Sequence, residues 1–475
     1  MQPVVNVHCH FMNSNHLSEE YVVEMLKESI PAYAGFLAPN NKEELLTVSN
    51  NNFYWKSIID RAFSKVNLAP KNFIKWTRSL NPKNFWYASG IIDNYIQKGE
   101  YLYEKDLPKN SKPIYDIYIP LMMDMETAGS LSKTDLSYID PQVISGDCTP
   151  VGCTPYELQV CEYSMIAARY PWKVFPFVMF NPLNPASLEI CQEAIETLGF
   201  VGIKMYPAHG FNPDPTKNKD PLVNQRLIDF YEWANKANMP ITVHTQYQSM
   251  QAIHLEDDDV LKKGYTNVSN WENVLAQYTN LRVNFAHFGG TDYVNKCKKD
   301  ELTCVMYKSC SEMQNNNCIH LKEAKEKFSR DCVSEITDLS RKYNQNGKIR
   351  IFTDVSAHYD ENNKLQLRYL KHIKSFLDSD PDIKLMYGTD TPVINMSIDD
   401  KTFFDSYNSM IDINKYPKFY STNALDFIFE NRLIPDSYVK FLNKPVFKFK
   451  FGTYKSWVNN PPAWIKENNG KYYIY

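Results

Sequence analysis

The chain has 475 residues, 43% of them hydrophobic and 23% charged, with a formal net charge of −3 at pH 7. This balance describes a globular protein able to bury a large core. It gives no electrostatic reason to expect nucleic acid or an anionic membrane surface as partner. No apolar run is long enough for a membrane span. The first strand-like run begins beside Met1 and leaves no room for a signal peptide, so the expectation is a cytoplasmic protein with reduced thiols.

In chain order, VNVHCH reads as a first strand ending at His10. Residues 13–110 then carry helical pieces broken by SLNPKNF and read as an inserted helical cap. IYIPLMMDM (114–125) is the second strand, with Pro120 arguing for an irregular edge. A helix over PYELQVCEYSMIAARY leads to strand three, WKVFPFVMFNP, and an amphipathic helix over LEICQEAIETLGF. VGIKMY, ITVHT and LRVNFAHF are strands four to six, each separated from the next by a helix. Residues 291–345 are read as a second, irregular insertion holding Cys297, Cys304, Cys310, Cys318 and Cys332. Their gaps fit no usual zinc spacing, so separate thiols are expected. IRIFTDVS is strand seven, IKLMYGTD is strand eight, and FYSTNALDFIFENRL is read as the last helix. The Tyr- and Lys-rich tail after Pro435 shows no clear period. The count predicts an α/β fold, a (β/α)₈ TIM barrel, as one domain over 1–435, with 436–475 as an extension packed on it.

Five of these strands end in chemistry-bearing residues: His8 and His10, Lys204, His244, His287, and Asp390. His8 and His10 are two apart on a strand and share a face. At the carboxyl end of a barrel strand that face is the mouth, where two imidazoles can share one metal. Cys9 points the other way, as a small hydrophobe. His244 and His287 stand where strand packing would favour Val or Ile, and such burial is costly unless metal or acids pair them. Asp390 can ligate, take a proton from attacking water, or do both in turn. Lys204 is read either as an ammonium facing a carboxylate or as a carbamate bridging two metals. Tyr206, His209 and Asp354 are secondary candidates for substrate contact, Asp354 also for orienting a ligand. His16, His254, His320, His358 and His372 are read as surface or packing residues.

Together GIKMYP, FAHFGG, YGTDTP and STNALDF resemble the amidohydrolase superfamily, most of all its amidohydrolase-related branch. The resemblance spans approximately residues 3–430. It implies that His8, His10, His244 and Asp390 hold a divalent metal, zinc in most members: one ion, or two with a carbamylated Lys204. It implies that His287 ligates a second metal or polarises substrate or water, and that Lys204 stands where the family has its bridging lysine. The expected activity is metal-assisted hydrolysis of an amide, lactone or related C–N or C–O bond of a small molecule. Asp390, His287 and Lys204 are its catalytic candidates. The alternatives are non-oxidative decarboxylation of an aromatic or enoic acid and a non-catalytic barrel scaffold. The expected partner is a small-molecule substrate, with pairing of barrels into a homo-oligomer also open.

Overall fold

The computed structural model describes residues 2–11, 114–124, 155–246, 264–289, 332–345, 347–359, 363–391, 394, 398–444 and 461–475. Most of both insertions, with Cys297, Cys304, Cys310 and Cys318, lies outside these residues. So do His16, His254 and His320.

Strands β1 (Val5–Cys9) and β2 (Ile117–Pro120) pair in parallel. Six more follow in sequential parallel order: β3 (Phe177–Phe180), β4 (Gly202–Met205), β5 (Pro240–His244), β6 (Arg282–Ala286), β7 (Ile351–Asp354) and β8 (Leu385–Met386). Parallel bridges join β2 to β3 through Tyr118 and Val174 and through Leu121 and Phe177. Another joins Cys9 to Thr391, just past β8. The sheet therefore closes on itself, and the fold is a (β/α)₈ barrel. Every residue of the eight strands is buried, as expected of parallel strands covered on both faces.

Helices cover the ring. α1 (Pro155–Arg169) follows β2, α2 (Ser187–Thr197) follows β3, and α3 (Pro221–Lys236) follows β4. α3 shows how local sequence sets its bounds. The Asp220 side chain accepts from Leu222 N at 2.8 Å, and Pro221 occupies the first turn. Val223, Leu227, Phe230, Tyr231 and Ala234 form its buried stripe. Asn238, with φ of 52°, turns the chain toward β5. α4 (Trp271–Gln277), α5 (Cys332–Tyr343) and α6 (Asn363–Ser379) follow β5, β6 and β7. α7 (Asp400–Asn408) and α8 (Asn423–Ile428) come after β8. Among the described residues no helix is long and apolar enough to cross a membrane.

At the amino-terminal end of the barrel, two buried arginines collect backbone carbonyls. Arg282 donates to Phe427 O at 2.9 Å and Asn238 O at 3.1 Å. Arg350 donates to Leu275 O at 2.9 Å and Tyr278 O at 2.6 Å. These carbonyls end α4 and the last turns of neighbouring elements, which have no intrahelical donors of their own.

Three sequence expectations change. β2 is an interior strand, not an edge. Pro120 falls where the register with β1 shifts between Asn6 and Cys9, so its missing N–H costs no ladder bond in a regular stretch. The helix expected over 419–433 breaks into a π-turn (Lys418–Thr422), α8 and a 3₁₀ turn at Glu430–Arg432. The tail is also structured. α9 (Asp436–Leu442) buries Tyr438, Phe441 and Leu442, and Phe441 lies against Gly199. Beyond it, β9 (Ile465–Asn468) and β10 (Lys471–Ile474) form a hairpin through Asn469 and Gly470, at φ of 53° and 75°. Asn-Gly with both φ positive is the two-residue turn that matches strand twist.

The β8–β1 seam is tight. The N–H groups of Thr389 and Asp390 both donate to the His8 carbonyl, at 3.0 and 2.8 Å. Val7 donates to Tyr387 O at 3.1 Å, and His10 donates to Thr391 O at 2.6 Å. A Cβ on Gly388 would stand 2.7 Å from His8 Cβ, an atom fixed by its own backbone. Gly388→Ala is expected to destabilise by about 1–3 kcal/mol, as overpacked sites do, read as a lower midpoint in urea. An unchanged midpoint would contradict this close approach.

Candidate metal centre

Strand ends bring the chemistry together. His8 and His10 project from β1 with ring centroids 5.3 Å apart. Asp390 follows β8 and holds Oδ1 at 3.2 Å from His8 Nε2 and 3.0 Å from His10 Nε2. Asp390 has φ of 64°, a left-handed conformation that turns its carboxylate inward. His10 Nδ1–H donates to Leu121 O at 2.6 Å, so the ring shows Asp390 its other nitrogen. His8, His10 and Asp390 are one cluster of donor atoms able to hold a metal ion, all buried.

Asp354, at the end of β7, lies behind His8. Its Oδ2 accepts from His8 Nδ1–H at 3.1 Å and from Asn284 at 2.7 Å. Its Oδ1 accepts from the backbone of Ser356 at 3.1 Å and of His287 at 3.3 Å. Asp354 is fully buried with both oxygens taken by protein donors. His8, His287 and Asp354 form a second donor cluster. It uses His8 again, and its oxygens are already occupied by hydrogen bonds from within the protein.

His244 and His287 pair with each other, Nδ1 to Nε2 at 3.0 Å, with ring centroids 4.8 Å apart. His244 belongs to neither donor cluster. Its Nε2 is nonetheless buried with no hydrogen-bond partner among the described residues, as is His8 Nε2 apart from its contact with Asp390. Tyr206 lies against His244 with centroids 4.4 Å apart and planes at 27°, and His209 lies 4.8 Å from Tyr206. Lys204 is buried, with Nζ 5.7 Å from the Tyr206 ring centroid.

Electrostatics follow from burial and from the two carboxylates. Burial pushes the Lys204 ammonium down to about 8, against the pull of Asp390 and Asp354. Burial likewise lowers His10, opposed by the Asp390 hydrogen bond, and lowers His287 to about 3. His244 is held well below the usual histidine range by burial and then by His287. His8 goes the other way. Burial opposes its charge, but Asp354 and Asp390, one on each ring nitrogen, outweigh it and raise its pKa. Burial would raise Asp390 too, yet the bonds from His10 and His8 hold it well below the carboxylate range.

Three polar residues here escaped the sequence reading. Ser356 Oγ lies 3.0 Å from His8 Nδ1 and 2.9 Å from His287 Nδ1, and donates to Asp354. Its signal was its place two residues beyond Asp354, on the same face in an extended run. Asn284 was legible as a polar residue inside the apolar run of β6. His358, read as a surface or packing residue, is buried, with Nε2–H donating to the His287 carbonyl and its ring against Tyr369.

Residues 159–301 match the family model described as amidohydrolase. No curated protein matches the chain. Among solved structures it is similar to a probable 2-pyrone-4,6-dicarboxylic acid hydrolase from Acinetobacter baumannii, with 10% identity over 68% of this chain and 91% of that one, at a TM-score of 0.39. A 2,6-dihydroxybenzoate decarboxylase is 13% identical over 90% of this chain and 99% of its own, at a TM-score of 0.40. A 5-carboxyvanillate decarboxylase from Novosphingobium aromaticivorans, with bound manganese, is 11% identical over 90% and 97%, at a TM-score of 0.43. The stretch that matches the family model, 159–301, runs from α1 past β6 and carries Lys204, His244 and His287.

Proposed function

We propose that this chain is a metal-dependent hydrolase, with one divalent cation, zinc, held by His8, His10, His244 and Asp390. The observation that carries the reading is a convergence of buried ligand atoms. His10 commits Nδ1 to Leu121 O and turns Nε2 to Asp390 Oδ1 at 3.0 Å. His8 Nε2 stands 3.2 Å from the same oxygen. Two imidazole nitrogens and a carboxylate oxygen meeting in a buried site can be held by protons or by a cation that takes the place of the protons. Imidazole nitrogens with a carboxylate are a donor set suited to zinc. Asp354 behind His8 supports one ion, because a second cation there would displace the hydrogen bonds that orient His8.

Such a cation supplies Lewis-acid chemistry, polarising the substrate and acidifying water toward neutral pH. Asp390 stays ionised and can accept the proton of attacking water and return it to the leaving group. His287, kept neutral, and Lys204, still largely protonated near neutral pH, face the charge that develops on the substrate oxygen. The bond cleaved is an amide, lactone or related C–N or C–O bond. Tyr206 and His209 form the wall beside His244 on which substrate would rest.

Lys204 favours one second reading. A buried ammonium beside the cluster can hold a substrate carboxylate, which suits decarboxylation. Carbon dioxide release without water consumption would select that reaction over hydrolysis.

Asp390→Asn is expected to lower kcat by about 10²–10⁴-fold, the usual worth of a positioned proton acceptor, with the far-ultraviolet dichroism unchanged. Full turnover in that variant would remove Asp390 from the mechanism. Mass-spectrometric metal analysis is expected to find one equivalent of zinc per chain, and a picolinate-type chelator should abolish activity until zinc is returned. Uptake of the cation must displace the proton that Asp354 and Asp390 favour on His8, so zinc affinity should fall as pH falls through the raised His8 pKa. An affinity independent of pH, measured by chelator competition, would count against His8 as a ligand.

A further inference from the structure

We propose that Thr389 is a positioning residue: its hydroxyl, anchored through Thr391 on the buried Asp400, holds Asp390 turned toward His8 and His10. Asn6, Thr389, Thr391 and Asp400 are all fully buried. Asn6 Oδ1 accepts from the backbone of Thr389 at 3.1 Å and of His8 at 3.4 Å, which leaves its Nδ2 to donate to Thr389 Oγ1 at 2.9 Å. The N–H of Thr391 donates to the same hydroxyl oxygen at 3.2 Å. Two donors fill the two lone pairs of a hydroxyl, so Thr389 must pass its own proton on. Thr391 Oγ1 stands 2.9 Å away to take it. The His8 carbonyl, 3.5 Å from Thr389 Oγ1, already accepts from two N–H groups. Thr391 has one hydroxyl proton in turn, and it goes to Asp400 Oδ1 in the first turn of α7. The hydrogen bonds therefore run in one direction, from the Asn6 amide to the Asp400 carboxylate.

Asp390 lies inside that run of bonds. The bond from Thr391 N–H to Thr389 Oγ1 spans it and closes a turn about its left-handed φ of 64°. Other bonds pin the backbone on either side: Thr389 and Asp390 N–H on His8 O, and His10 N–H on Thr391 O. The peptide between Asp390 and Thr391 has its carbonyl held by Ile394 N–H at 3.1 Å. Its N–H is held, among the described residues, by the Thr389 hydroxyl alone. With a methyl in that place the N–H is buried and unpaired, and the peptide turns to find an acceptor. Because both flanks are pinned, the rotation is taken up at Asp390, and its carboxylate leaves the two imidazoles it now meets at 3.2 and 3.0 Å. That this carboxylate is a ligand and proton acceptor rests on the function proposed above; the hydrogen-bond chain does not.

The test uses the full-length chain with Thr389→Val, which removes the hydroxyl at constant shape, and Thr389→Ser, which keeps it. In the chelator-stripped chain labelled with ¹⁵N at threonine, Thr391→Ser assigns the Thr391 amide. That amide is expected to exchange slowly with solvent in the parent and in Thr389→Ser, and fast in Thr389→Val. Zinc affinity by chelator competition should fall about 10–100-fold in Thr389→Val, the usual cost of losing a group that orients a ligand, and return to within about two-fold of the parent in Thr389→Ser. In an Asp390→Ala background there is no carboxylate to aim, so adding Thr389→Val should change affinity by no more than about two-fold. Should Thr389→Val not fold, Thr391→Val cuts the same chain one link later and is likewise expected to lower affinity. The proposal is overturned by parent-like affinity in the valine variant that folds, by a Thr391 amide as protected without the hydroxyl as with it, or by an equal loss of affinity in the Asp390→Ala background. The stated amide pattern in a parent chain that takes up no zinc would sustain the threonine's hold on Asp390 and sink the metal reading.

Discussion

The constraint on which the rest depends is the seam between β8 and β1. The carbonyl of His8 accepts two N–H groups at once, from Thr389 and Asp390. These bonds close the barrel, and the same residues carry the imidazole and carboxylate that converge at its mouth. Asn6 and Thr389 reinforce the seam, with Asn6 Nδ2 donating to Thr389 Oγ1 at 2.9 Å and Thr389 N donating to Asn6 Oδ1 at 3.1 Å. Closure and site geometry are thus one arrangement. A change that opens the ring here moves Asp390 off His8 and His10, whereas a change in the outer helices does not.

Around that seam the protein has gathered buried acceptors and few charges to meet them. Asp354 and Asp390 are both buried and both ionised, with His8 between them. Isolated carboxylates in such surroundings would take up protons. They remain charged because donors meet them: Asp354 accepts from the His8 imidazole, two backbone N–H groups, the Asn284 amide and the Ser356 hydroxyl, and Asp390 from the His8 and His10 imidazoles. Lys204 adds a cation at the same depth, weakened by burial but not neutralised. The cluster divides in two by contacts. Asp354 and Ser356 are satisfied within the protein, while His244 Nε2, and His8 Nε2 apart from its contact with Asp390, have no hydrogen-bond partner among the described residues.

Much of this was legible because polar residues at the ends of apolar runs are conspicuous. His8, His10, Lys204, His244, His287 and Asp390 were all visible on that ground, and the strand–helix alternation predicted the ring. What was not legible depended on register between strands. Nothing local to VNFAHFGG says that His287 turns its ring to His244, or that its carbonyl is held by His358 from the loop after β7. Arg282 and Arg350 looked like ordinary strand starts, because their carbonyl partners lie tens of residues away or more. α9 was too short to show a period, being a single repeat of Tyr438, Phe441 and Leu442. The hairpin after it was a different omission. Asn469-Gly470 between KEN and KYY is a local turn signal that outranks the missing hydrophobic alternation.

Three residues that follow consecutive strands sit in the left-handed region without being glycine: His287 at φ of 66°, Ala357 at 63° and Asp390 at 64°. Each such residue costs of order 1–3 kcal/mol and persists only where its neighbours overdetermine it. Here the neighbours are the ring's own hydrogen bonds, so the mouth draws on the rigidity of the barrel beneath it. Glycine at 390 would relax the backbone and erase the carboxylate in one step. Thermal robustness and chemical competence therefore pull this segment in opposite directions, and selection for a tougher barrel alone would erode the mouth first.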